Sequence, residues 1–271
     1  MDPVSAEIWE NKEIATGIYR LKLRPYGPAP RVAPGRFFMI GVGPGTDPLL
    51  RRPLSHLATS VNEDGIQLLE FLYEVRGRGT ELLSLMQPPR IISYIGPLGN
   101  GWRLDGVPRR VILAGGGAGA VPLYAASKAL AEITPRPKIE FIYGARTGRC
   151  LALASEIGVM VEDTVLCTED GCRGEKGLVT DLLRRALTDA DPARTLVLAC
   201  GPRAMLAQVA LLTKERGVAC QVSLEARMAC GMGACLTCSI RGADGHNVRV
   251  CKEGPVFDAA EVDWEALDEC A

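Results

Sequence analysis

Four cysteines constrain this chain more than any other feature of its sequence. Cys230, Cys235 and Cys238 crowd into the stretch RMACGMGACLTCSI, residues 227–240, and Cys251 follows after twelve intervening residues. Gathering three sulfurs from one short loop requires a backbone that bends sharply. Gly231, Gly233 and Ala234 supply the small residues such bends need. The C-x4-C-x2-C…C spacing is that of plant-type [2Fe–2S] sites, where four thiolates surround two irons. Small neighbours also let backbone N–H groups approach the sulfurs. Spacing alone leaves two other uses open. Zinc favours paired C-x2-C units, and Cys235/Cys238 form one such pair, which Cys251, Cys230 or His246 could complete. A redox C-x-x-C belongs at a helix start near a βαβ unit, whereas this one lies in a Gly-rich loop.

The 271 residues suffice for one large domain or two ordinary ones. The formal net charge is -1 and no basic block is present, which argues against a nucleic-acid partner. The longest uncharged stretch, Val111–Ser127, is too short and too Gly-rich for a membrane span. The N-terminal MDPVSAEIWENKEI has no apolar signal core. Ten cysteines without a secretion signal point to a reducing cytoplasm. There the unclustered Cys150, Cys167, Cys172, Cys200, Cys220 and Cys270 read as core or surface thiols.

Three compositional regions follow one another. Residues 1–102 read as short strands (IYRLKL, RFFMIGV, GIQLLEFLYEV) punctuated by Pro and Gly, with one helix, GTELLSLM, for which Thr80 is the expected N-cap. This predicts an antiparallel β-barrel with a capping helix. Residues 103–222 alternate between strand-like and helix-like segments, the rhythm of an α/β domain with a parallel sheet; VMVEDTVLCTED is among the strand-like ones. Residues 223–271 are Cys- and Gly-rich, end in an acidic tail, and predict a small cluster-binding subdomain.

The segment VILAGGGAGAVPLYAAS places Gly115, Gly117 and Ala120 in a G-x-G-x-x-A arrangement after a hydrophobic strand and at the opening of a helix. That context suits a dinucleotide, because the glycines allow close backbone approach to a pyrophosphate and the helix offers free N–H groups. LACGPRAML ends a later strand, putting Cys200, Gly201 and Pro202 at the ligand-binding edge of the sheet; taken alone, Cys200 reads as a small buried residue. Glu169 and Asp170 end another strand, could accept hydrogen bonds from ribose hydroxyls, and tilt the choice toward NAD over NADP. RRPLS (51–55) and Gly79–Thr80 are further anion-site candidates.

In order, RRPLS, GRGTELL, GPLGNGW, GGGAGAVPL, YGART, TEDG…GLVTD, CGPRAML and EARMACGMGACLTCSIRG…RVCKEGPVF resemble the electron-transfer subunits of class 1B dihydroorotate dehydrogenases, members of the ferredoxin–NADP reductase superfamily. The resemblance runs from about residue 5 to 264 and implies FAD, a [2Fe–2S] cluster and NAD as cofactors. It implies that Arg52, Pro53, Leu54 and Ser55 hold FAD, Arg52 at the pyrophosphate and Ser55 near the reactive edge of the ring. Leu72, Tyr73 and Glu74 would lie beside the flavin, with Gly79 and Thr80 on phosphate. Cys230, Cys235, Cys238 and Cys251 would be the cluster ligands.

It further implies a catalytic partner, an FMN-containing barrel that oxidises dihydroorotate, joined in a heterotetramer. Electrons would pass through the cluster and FAD to NAD+, with no general acid–base residue. Leu54 stands where many reductases of the superfamily carry an aromatic residue, which favours the dihydroorotate branch. His56, Thr237 and RGADGHNVRV have no role in this reading. Two alternatives are a flavin/[2Fe–2S] subunit of another ferredoxin–NAD(P) oxidoreductase or sulfide dehydrogenase complex, and a zinc-stabilised nucleotide-binding sensor.

Overall fold

A computed structural model describes residues 2–43 and 47–268; Cys270 and the end of the acidic tail lie outside them. Six antiparallel strands close a barrel: β1 (Val4–Ala15), β2 (Ile18–Pro25), β3 (Phe37–Ile40), β4 (Arg52–Val61), β5 (Gln67–Glu74) and β6 (Ile91–Leu98), in the order β1-β2-β5-β4-β3-β6. Alternation drives it. Leu21 and Leu23 of β2 point inward with Phe38, Leu69 and Phe71, while Lys22 between them faces out.

Helix α1 (Arg78–Ser84) packs on the barrel. Its N-cap is Gly77, and Thr80 sits at the third helical position, where its hydroxyl accepts from the N–H groups of Arg76 (2.9 Å) and Gly77 (3.2 Å). Thr80 thus reaches back to the helix start rather than capping it, because the helix begins three residues earlier, with Gly77 as its N-cap. At the other end, the buried amide of Asn11 donates to the carbonyls of Leu83 (2.7 Å) and Met86 (2.9 Å). It thereby satisfies acceptors that the end of a helix leaves without intrahelical partners.

The chain then winds a seven-stranded sheet. In chain order come β7 (Arg110–Gly116), α2 (Ala120–Ala131), β8 (Lys138–Ala145), α3 (Ala154–Met160), β9 (Asp163–Thr168), β10 (Glu175–Lys176), α4 (Val179–Ala186), β11 (Thr195–Cys200), α5 (Arg203–Glu215) and β12 (Ala219–Ser223). Strand order is β10-β9-β8-β7-β11-β12, all parallel, so direction of winding reverses between β7 and β11. β11 is buried along its whole length, and β7 everywhere but its first residue, as a sheet covered on both faces requires. The strand-like VMVEDTVLCTED differs in part: its first two residues end α3. Val159 is 91% exposed there, so its apolarity reports no burial.

The last segment holds the hairpin β13 (Ser239–Arg241) and β14 (Asn247–Arg249), then β15 (Val256–Asp258) and α6 (Trp264–Asp268). β12 runs one residue past the expected boundary at 222, and β15, from beyond it, pairs antiparallel with β12 as the seventh strand. The Cys-rich region is therefore not a free-standing appendage. It leaves the sheet after Ser223 and returns at Val256, its register partner.

Candidate functional site: two joined pockets and a cysteine loop

The reversal between β7 and β11 opens a crevice at the carboxyl ends of the strands, where ligands of open α/β sheets bind. A cavity of about 870 Å³ fills it. Gly116, Gly117, Ala118 and Gly119 line it, with Glu169, Gly201 and Pro202 across from them. Gly117 has φ +54° and faces open space. A Cβ on Gly119 would overlap the carbonyl of Cys200, so glycine is what lets the turn after β7 close onto β11. The lining is thus offset from the residues named by the motif. Gly115 and Ala120 pack behind the loop, Ala120 at 1% exposure. Asp170 is absent from the lining, its carboxylate accepting from the Cys172 N–H at 3.0 Å. Arg146 lies in the lining beside Glu169.

A second cavity, about 280 Å³, sits between barrel and sheet. Arg52, Pro53, Leu54, Ser55, Leu72, Tyr73, Glu74 and Thr80 all line it. β4 and β5 present all of these but Thr80, which comes from α1; Pro53 and Ser55 are in register with Met39 and Phe37 of β3. Gly79 lies directly against Arg52: a Cβ there would overlap the guanidinium. Arg52 Nη1 also donates to the Leu50 carbonyl. The result is a cation seated on a glycine at the start of α1, a cradle suited to a pyrophosphate. Cys200 opens on this smaller cavity rather than the larger one; it is 2% exposed, and burial pushes its thiol well above the usual range.

The two cavities share walls, among them Leu72, Glu74, Arg76, Ala118, Val121 and Glu225. Arg76 is paired with Glu74 at 2.7 Å, and that hydrogen bond holds its guanidinium firmly protonated. No motif gives Arg76, Glu225 or Met228 a role by itself; tertiary packing brings Arg76 and Glu225 to the shared wall and Met228 to the smaller cavity. His56, without a role at the outset, is a core residue. It packs between Phe38 and Phe71, Nε2 lies 3.0 Å from Thr59 Oγ1, and burial lowers its pKa to about 4.

The four clustered cysteines come together. The β13–β14 hairpin, built from the unexplained RGADGHNVRV, returns the chain from Cys238 to Cys251. His246 lies at the turn end of that hairpin, away from the sulfurs, which removes it from any ligand set. Gly231 (φ +71°), Gly233 (φ +81°) and Leu236 (φ +62°) make the loop's bends. Leu236 is the one non-glycine residue with positive φ among those described, and it is 60% exposed. N–H groups point at sulfur: Met232 to Cys230 (3.4 Å), Gly233 to Cys251 (3.1 Å) and Cys251 to Cys238 (3.5 Å).

The thiols associate two and two, Cys230 with Cys235 and Cys238 with Cys251. No three of them converge on one mononuclear centre among the described residues. Two thiolates per iron is what a two-iron cluster takes, so the donor set fits [2Fe–2S] better than a single tetrahedral ion. Hydrogen bonds from Thr237, then from Cys230, lower the exposed Cys235 thiol to about 6; burial pushes Cys251 up to about 12.

Such a barrel joined to a parallel dinucleotide sheet is the architecture of ferredoxin–NADP reductase-like oxidoreductases. A ferredoxin NADP+ reductase from Neisseria gonorrhoeae, solved with bound FAD and NADP, has the same fold (TM-score 0.67, 16% identity, 80% of this chain and 92% of that one). A structure of the NADH-dependent reduced ferredoxin-NADP oxidoreductase is more similar (TM-score 0.82, 30% identity, 97% and 91%). Residues 113–210 match the oxidoreductase NAD-binding domain, and residues 225–263 the iron-sulfur cluster binding domain of dihydroorotate dehydrogenase B. A relative from Desulforamulus reducens, 36% identical over 93% of this chain and 95% of its own length, is the dihydroorotate dehydrogenase B (NAD(+)) electron transfer subunit. The chain belongs to that family of electron transfer subunits.

Proposed function

We propose that this chain relays electrons between a catalytic dihydroorotate dehydrogenase subunit and NAD+. In this reading residues 1–102 form the flavin domain, 103–222 the NAD domain and 223–271 the cluster segment. The two subunits work as a cytoplasmic heterotetramer, two copies of each. The observation that carries the proposal is the continuity of the three sites. The smaller cavity, suited to FAD, shares walls with the larger, suited to NAD(H), and Met228 of the smaller cavity precedes Cys230 by two residues. Flavin supplies exchange between hydride and single electrons, and the cluster carries electrons singly.

The residues of the chain bind and orient. Arg52 neutralises the flavin pyrophosphate, and Leu54 and Leu72 form apolar walls. Gly116–Gly119 bring free N–H groups to the dinucleotide phosphates. Glu225 and Arg76, which line both cavities, would border the nicotinamide and the flavin. Cys230, Cys235, Cys238 and Cys251 would hold the cluster. For each hydride passed on after single-electron reduction of the flavin, one proton is taken up; that proton would come from solvent, since the buried His56 is neutral above its lowered pKa.

The test is co-purification with the partner, then anaerobic reduction by dihydroorotate or NADH while flavin absorbance and the cluster's paramagnetic signal are followed. Preparations without flavin and iron, or reduction by neither donor, would sink the proposal. The likeness to the NADH-dependent ferredoxin-NADP oxidoreductase supports a second reading, a subunit of such a complex. Reduction by NADH together with inertness toward the dihydroorotate partner would favour it.

A further inference from the structure

The cluster's fourth ligand and the flavin cavity are joined by one short stretch of chain. Cys251 begins it, and Pro255, which lines the smaller cavity, ends it. The barrel grips this stretch from the side. Gly99, at φ +70°, lies so close that a Cβ there would stand 2.5 Å from Pro255 Cδ, 2.7 Å from the Gly254 carbonyl and 3.0 Å from Phe37, another residue of that cavity. Next to it, Asn100 donates its backbone N–H to the Gly254 carbonyl (2.6 Å) and its side-chain amide to the carbonyls of Lys252 (3.2 Å) and Glu253 (2.9 Å). The Glu253 carboxylate in turn pairs with Arg249 and accepts the Arg249 backbone N–H at 2.8 Å. The Arg249 guanidinium then donates to the Gly233 carbonyl at 2.8 Å, inside the loop carrying the other three cysteines. Gly231 of that loop rests on Met39 and Leu98 of the barrel, where a Cβ would come within 2.9 Å of Met39 Sδ.

We propose that Asn100, through the Glu253–Arg249 pair, is a positioning residue that registers both ligand-bearing segments of the cluster on the flavin barrel. It sets the gap across which electrons pass. This rests on the relay reading above. In the NADH-driven reverse direction used for the test, each passage oxidises reduced flavin by one electron and reduces one iron of the cluster; in the forward direction the same gap is crossed the other way. Asn100 touches none of these groups; it holds the stretch that connects them. Groups that orient a metal's ligands without touching the metal commonly matter at the level of ligands themselves.

The experiment uses the full chain loaded with FAD and iron. Asn100→Ala removes both side-chain donors and leaves the backbone N–H. The expected result is full FAD and iron content, an unchanged rate of flavin reduction by NADH, cluster reduction slowed about 10- to 100-fold, and faster loss of iron to a chelator. Unchanged cluster reduction and chelator resistance would overturn the proposal, as would proportional slowing of both steps, which signals general distortion. Should Asn100→Ala be recovered without iron, Glu253→Ala carries the test, since it removes the carboxylate that Arg249 pairs with and spares the backbone contact to the barrel. Faster chelator loss with normal flavin reduction is then expected, and wild-type behaviour overturns the idea. Wild-type protein that binds neither flavin nor iron would instead defeat the relay reading itself.

Discussion

Replacing Gly79 with alanine should separate the stability of this protein from its hold on flavin. Gly79 is buried at the second position of α1, and a Cβ there would occupy the space of the Arg52 guanidinium. Backbone strain plays no part, because Gly79 is not in the left-handed region. Alanine is the better helix former by up to about 1 kcal/mol, so the flavin-free protein should unfold at the same temperature or slightly higher. Arg52, pushed from its seat, should lose its charge-assisted contact with the pyrophosphate. Such a contact contributes about 1.5–3 kcal/mol, which corresponds to about 10- to 150-fold in the dissociation constant for FAD. Flavin fluorescence titration reads the affinity, and thermal melting of the apoprotein reads stability. Arg52→Ala should weaken FAD by a similar factor, and the double variant should be little worse than either single one, since both remove one interaction. Gly79→Ala protein that binds FAD like wild type would refute the reasoning, and so would additive losses in the double variant.

Other expectations follow from the same geometry. His56 has its pKa lowered from 6.5 to about 4 in the folded state, so unfolding takes up a proton between those values. Its contribution is fully present above about pH 6.5 and lost as pH falls toward 4, about 3 kcal/mol in all. Urea unfolding of wild type and His56→Gln should show the difference between them shrinking over that window; parallel pH profiles would contradict it. Leu236→Gly should raise the melting temperature, since leucine at φ +62° costs about 1 kcal/mol and its exposed side chain gives little in return; a lower melting temperature would show that the side chain is needed. Cys235→Ser should cut iron content and leave FAD bound, and an unaltered cluster spectrum would exclude Cys235 as a ligand.

The elements legible in the sequence were those whose cause is local. RVILAGG declares a buried parallel strand because every residue after Arg110 is apolar or small, and the barrel strands alternate. The cysteine spacing carried the idea of a two-iron site because a tight loop must be encoded by adjacent small residues. Where the cause is tertiary, the text is silent. Nothing in VFD (256–258) marks a strand, since three residues hold one only when β12 is already there to pair with. Arg76 and Met228 matter through the junction they line, and Asn100 through carbonyls some 150 residues away in sequence. Of the motif residues only Gly117 lines the larger cavity; Gly115 and Ala120 do not, and the neighbouring Gly116, Ala118 and Gly119 do. A repeat of small residues encodes the packing of a turn, and its exposed face depends on how the turn lies.

The pairing of Ser223 with Val256 fixes more than sheet order. Both ends of the cysteine-bearing excursion are tied at a single rung of the ladder, like the two feet of an arch. An arch so footed cannot swing out to meet a redox partner and swing back, as tethered carrier domains do. On the relay reading, delivery would run by fixed-distance hopping, with throughput set by how closely the partner seats and not by the tempo of any shuttling limb.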